Sequence, residues 1–235
     1  ARADFRDARL AMAGRALDAI LAKTPARLLA FDFDQTALAV EGAPARPEDV
    51  GGYVADVSPD FLALVAVAAG RGVAAAVATF QDSVVYYDAP RPGDDPGRLY
   101  GAPLVEAVLR DAFALFLAGP RPPGLPAAAE ISASVAVVDL FPGGRFGGDR
   151  PVAPFAMSCL GGCPRPGAEP DATAAAFGKN CHLQLLIDER GLRRENLVLF
   201  DDNPDNVRAA YAQSRADSFV PYVATVELDR LSDQP

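Results

Sequence analysis

The sequence predicts an α/β fold built around a mostly parallel sheet with helices on both faces, and three observations carry that expectation. Apolar stretches at 27–33 and 73–79 bracket a helical stretch that opens at Pro59-Asp60 and closes at Gly70-Arg71-Gly72. A strand, a crossover helix and a second strand in that order make a parallel pair. A further short apolar run, Asn196 to Phe200, ends in Asp201-Asp202, the pattern of a strand buried on both faces. The run from Leu28 to Phe33 likewise ends in acids, Asp32 and Asp34, one residue apart. Strand side chains alternate between faces, so both carboxylates leave on one side, at the edge where open α/β sheets place their ligands.

The remaining elements follow in chain order. Leu10, Ala13, Leu17, Ile20 and Leu21 are spaced for one helical face, so a leading helix is expected within residues 1–24, closed by Lys23-Thr24-Pro25. After the strand at 27–33, the Pro/Gly-rich stretch 41–49 reads as a loop or flap. Beyond Thr79, residues 80–100 read as an exposed loop around Tyr86-Tyr87, and 104–117 has helical periodicity. Val135, Val137 and Val138 favour a strand over 134–141. Residues 142–178, dense in Gly and Pro, read as a second long loop or minimal cap. A helix running to Gly191, the strand at 196–200, a helix after Pro204 and a last strand within 219–225 complete the chain. The sum is a single domain, a Rossmann-like three-layer sandwich with little or no large cap.

Composition narrows the function. The chain has 235 residues, half of them apolar, enough for a substantial core. No stretch has the roughly 20 continuous apolar residues that cross a bilayer, so no membrane role is expected. A net charge of −9 argues against a nucleic-acid grip, which collects basic residues on one face. Three cysteines, Cys159, Cys163 and Cys181, favour reduced thiols and a cytoplasmic or other reducing intracellular compartment. A zinc site from these and His182 is disfavoured, because adjacent ligands at 181 and 182 would struggle to face one metal. The first residues do not read as a secretory signal, and the lack of an initial Met leaves an upstream segment open.

Four segments each end a strand or open a helix with a polar group: Asp32/Asp34/Thr36, Thr79, Lys179 and Asp201/Asp202. Crowded carboxylates at one strand end repel unless a cation, a shared proton or another positive group compensates, and a divalent metal is the simplest answer. Taken singly, each segment is ordinary: Asp-x-Asp is a common turn, and Lys179 alone would be a surface lysine.

In their order and spacing the four resemble the motifs of the haloacid dehalogenase superfamily: Asp-x-Asp-x-Thr after an apolar strand, a strand-terminal Thr, a Lys near a helix start, and an acidic pair after a strand. The resemblance covers a core at 26–225, with both long loops unmatched, and its pattern is closest to the magnesium-dependent phosphatase, nearly capless branch. It implies an aspartyl-phosphate on Asp32, with Asp34 as general acid and base. It also implies Mg2+ held by Asp32, the Asp34 backbone carbonyl and the acidic pair. Asp202 is then the direct ligand and Asp201 its neighbour; a shifted alignment makes Asp201 the ligand and Asp205 the distal carboxylate. Thr36, Thr79, Phe80, Lys179 and His182 form the expected substrate-binding set, with Thr79 and Lys179 also catalytic. Within that family Asp34 points to phosphatase or phosphomutase chemistry, and the expected partner is a phosphorylated substrate, a small molecule or a phosphoprotein. A phosphotransferase or phosphomutase, or a non-catalytic phosphate- or partner-binding domain, are the competing readings, and the oligomeric state is left open.

Overall fold

The computed structural model describes residues 2–81, 83–88, 95–139, 179–208, 210 and 223–224. The chain runs α1 (Arg2–Leu21), β1 (Leu28–Asp32), α2 (Val50–Ala55), α3 (Pro59–Gly70), β2 (Ala74–Thr79), α4 (Ser83–Asp88), α5 (Ala102–Phe116), α6 (Ala128–Ser134), β3 (Ala136–Asp139), α7 (Asn180–Arg190), β4 (Leu197–Phe200), a helical segment α8 at 204–208 and 210, and β5 (Val223–Ala224). Local chemistry sets several boundaries. The Ser58 hydroxyl accepts from the Phe61 N–H at 3.3 Å and Pro59 occupies the first turn, starting α3. Gly191, at φ 57° and ψ 37°, closes α7 in the left-handed region.

The strands form one sheet in the order β3-β2-β1-β4-β5, every pair parallel. This is the Rossmann-like α/β arrangement expected from the βαβ unit. Leu29, Phe31 and Phe33 alternate to the face covered by α1, α3 and α5, while Leu28 and Ala30 pack with Leu183, Leu186 and Ile187 of α7. Phe31 stacks on Phe200 at 4.6 Å and meets the edge of Phe61 at 4.9 Å, and each such fully buried ring contributes about 1.5–3 kcal/mol. Arg9 fastens α1 to α3 by reaching both carboxylate oxygens of Asp60 at 2.7 and 2.8 Å. Among the described residues, no helix is long and apolar enough to cross a membrane.

Register brings the polar strand ends to one edge. Asp32 aligns with Ala78, one residue before Thr79, and Thr79 aligns with Asp139. Phe31 aligns with Phe200, which places Asp32 beside Asp201. Because β1 lies between β2 and β4, it is the point where the connections turn from one side of the sheet to the other, the usual place for a ligand.

Two local expectations need correction, and one short helix was not anticipated. Residues 83–88 are helix α4 and not part of an exposed loop: Tyr86 is buried, its hydroxyl donating to the Asp95 carbonyl at 3.0 Å, and the Tyr87 hydroxyl donates to the Arg98 carbonyl at 2.8 Å. The strand expected from Ser134 begins at Ala136, because Ser134 still belongs to α6, its hydroxyl on the Ile131 carbonyl. The flap is followed by α2, which the glycine pair Gly51-Gly52 disguises. The long stretch 142–178, with Cys159 and Cys163, lies outside the described residues.

Candidate active site

Asp32 ends β1, and the backbone then turns sharply. The Ala37 N–H donates to the Asp32 carbonyl and the Leu38 N–H to the Phe33 carbonyl, two consecutive i to i−5 bonds that close a wide turn. Gln35 sits in that turn at φ 58°, the one non-glycine residue with positive φ among those described. Strain of this kind concentrates at functional sites. The turn returns Thr36 toward β4, where its hydroxyl accepts from the Asp202 N–H at 3.0 Å and donates to Asp202 Oδ1 at 3.2 Å.

Asp32 is 7% exposed, and its Oδ1 takes two donors at 2.8 Å, the Phe33 N–H and Lys179 Nζ. Lys179, 1% exposed, stands immediately before α7, and its ammonium also lies 3.7 Å from the centroid of the Phe80 ring. A buried cation over an aromatic face is stabilised by the ring quadrupole. The other face of the pair is set by Asp201, both of whose oxygens accept from Asn206 Nδ2 at 3.0 Å while Oδ1 also accepts from the Asn203 N–H.

Asp32, Asp201 and Asp202 offer carboxylate oxygens that all lie within 4.8 Å of one another. Three acids here face one ammonium, and the carboxyls of Asp32 and Asp201 are raised. Burial pushes the Asp32 carboxyl up to about 7, against the opposing pull of Lys179, and Asp201 adds to the rise. Burial also raises Asp201, with Asn206 and Lys179 opposing. An all-oxygen cluster of this charge fits a hard divalent cation.

Asp34 is held apart from that cluster. Its Oδ1 accepts from the Gly42 N–H at 2.6 Å, and Gln81 Nε2 donates to Oδ1 at 2.9 Å and to Oδ2 at 3.1 Å. Burial raises its carboxyl, while the Gly42 and Gln81 bonds oppose the rise. The two carboxylates of Asp32-Phe33-Asp34 therefore sit in different surroundings, one on a lysine and the other on neutral amides.

The structure brings Asp32, Thr36, Phe80, Lys179, Asp201 and Asp202 into direct mutual contact or into one oxygen cluster. Thr79 is completely buried, its hydroxyl accepting from the Gln81 N–H at 3.2 Å. His182 is 0% exposed: its Nε2 donates to the Thr79 carbonyl at 3.0 Å and its ring meets the edge of Phe80 at 5.2 Å. It thus supports β2 and Phe80 from inside the fold. Asp205 stands outside the cluster, exposed and paired with Arg208. Gln81 and Gly42 are absent from the set read from sequence, because nothing about a lone Gln or Gly marks it until the Asp34 carboxylate is seen between them. No protein-family profile, curated protein or solved structure matches this chain.

Proposed function

We propose that this chain is a Mg2+-dependent phosphomonoester hydrolase of the haloacid dehalogenase type, acting through an aspartyl-phosphate on Asp32. The observation that carries the reading is Lys179 at 2.8 Å from Asp32 beside the Asp32/Asp201/Asp202 oxygens, four groups from three distant segments converging on one strand end. That convergence is what in-line phosphoryl transfer needs: a fixed nucleophile, a cation against the phosphoryl oxygens and a second acid nearby.

Asp32 attacks phosphorus, forming the carboxyl-phosphate bond as the bond to the leaving oxygen breaks. Asp34, protonated at that moment, gives its proton to the leaving oxygen. Water then attacks the phosphoryl group of the acyl phosphate, Asp34 takes the proton back, and inorganic phosphate leaves with Asp32 restored. Lys179 holds Asp32 in one direction and offsets charge on the phosphoryl oxygens, with Phe80 keeping the ammonium in place. Asp32, Asp201 and Asp202 are the side chains that would hold Mg2+, and the bound ion would supply positive charge against the substrate phosphate.

The test is hydrolysis of p-nitrophenyl phosphate with and without Mg2+. The reading expects metal-dependent turnover, abolished by Asp32→Asn, and label from a 32P-phosphoester trapped on the wild-type chain by acid quenching. Absence of turnover from the intact protein, or turnover untouched by Asp32→Asn, would refute it. Label passing to an added alcohol or sugar in preference to water would instead make the enzyme a phosphotransferase.

A further inference from the structure

We propose that Gln81 is a positioning residue for the acid/base step, holding the Asp34 carboxylate in the direction of the leaving oxygen; this rests on the phosphatase reading above. Gln81 is 4% exposed and spends both of its donor contacts on Asp34, at 2.9 and 3.1 Å. Its Oε1 is buried and accepts no hydrogen bond from any of the described residues. A buried amide with an unsatisfied acceptor costs folding free energy, and an apolar side chain of the same size would fill the space without that cost. The return for the amide is the orientation of Asp34.

The backbone around Gln81 is built to keep it there. Its N–H is tied to the Thr79 hydroxyl, and its carbonyl lies against Gly101, where an added Cβ would come within 2.5 Å. On the flap side, Gly42 approaches so closely that a Cβ there would lie 2.3 Å from Gln81 Nε2 and 3.0 Å from Asp34 Oδ1. Asp34 is therefore clamped between the flap, through the Gly42 N–H, and the β2–α4 connection, through Gln81. A freely rotating Asp34 would lose the alignment on which proton transfer to the leaving oxygen depends.

Leaving-group dependence separates positioning from general support of the fold. An aryl phosphate such as p-nitrophenyl phosphate departs without a proton, whereas an alkyl phosphate such as ethyl phosphate needs one. Gln81→Met, which keeps the volume and removes the donor, should lower kcat/KM for ethyl phosphate by about 10- to 100-fold and that for p-nitrophenyl phosphate by less than about threefold. Gly42→Ala is the second variant: its methyl displaces the amide while Gln81 remains, and the same selective loss is expected. Equal losses on both esters, or no loss on either, would overturn the assignment. Wild-type protein that hydrolyses neither ester would overturn the phosphatase reading itself, and the role of Gln81 with it.

Discussion

Thr36 and Asp202, 166 positions apart, hold each other by two hydrogen bonds, one through the Asp202 N–H and one through its carboxylate. The β1 turn thereby fixes the direction of an exposed acid that belongs to the oxygen cluster. Thr36→Val keeps the shape and removes both bonds. Mg2+ affinity, followed by calorimetric titration, should fall about 10-fold or more while the fold persists, as happens when groups that orient metal ligands are lost.

Asp202 and Asp205 lie three residues apart with opposite expectations. Asp202 shares the cluster with Asp32 and Asp201, whereas Asp205 is exposed beside Arg208. Asp202→Asn should raise the Mg2+ concentration required for half-maximal turnover by at least about 10-fold, and Asp205→Asn should leave it within about twofold. The reverse order would assign the distal carboxylate to Asp205.

Lys179 is the buried counter-charge of Asp32. Lys179→Met removes it at nearly constant volume and leaves carboxylates facing carboxylates. Breaking a buried ion pair on one side costs about 3–5 kcal/mol, so urea unfolding at pH 8 should show a loss of that order. The loss should shrink at pH 5, where Asp32 is protonated, since its carboxyl titrates near 7.

Stability of the metal-free protein should itself depend on pH. With its carboxyl raised to about 7 in the fold from 3.8, Asp32 keeps a proton that the unfolded chain releases earlier. Its contribution is fully present below pH 3.8 and is lost as pH rises through about 7. Asp201, raised by burial, acts in the same direction. Thermal melts without metal should weaken from pH 5 to pH 8, and Mg2+ should add more to the melting temperature at pH 8 than at pH 5, because at the lower pH it must displace protons.

Gly101 occupies φ 62° and ψ −137°, with Asp139 Oδ2 and the Gln81 carbonyl each 2.5 Å from the place of a Cβ. The same Asp139 oxygen accepts from the N–H groups of Ser83 and Ala102 at 3.2 and 2.7 Å, joining the starts of α4 and α5. Gly101→Ala combines backbone strain with overpacking and should cost about 2–5 kcal/mol in denaturant unfolding.

The parts of the fold legible in the sequence are those with local causes. Strand β1 shows in the apolar run that ends in acids, α3 in Pro59-Asp60 at its start, and α7 in Gly191 at its end. Helices α2, α4 and α6 were not legible, since each has only six or seven residues and rests on contacts from elsewhere. Tyr86-Tyr87 reads as loop beside its Asp, Pro and Gly neighbours, and it is contacts with residues 95–100, the Asp95 and Arg98 carbonyls and Tyr100, that pack it as a helix. At the site, the meeting of Asp32, Lys179 and the acidic pair was legible because each ends a strand or opens a helix with a polar group. Gln81 and Asp139 were not, because their work is done through backbone groups and side chains far away in the chain.

The central place of β1 also governs when the site comes into being. Its partner β2 follows after α2 and α3, so the two can pair while the chain is still being synthesised, but β4 arrives only after residue 196. Until then Asp32 stands at a strand end without Asp201 and Asp202 beside it. Closing so long a loop is slow relative to local pairing. A nascent or truncated chain ending before β4 thus holds Asp32 and Lys179 without the two acids that complete the oxygen cluster, which assembles only once β4 has joined the sheet.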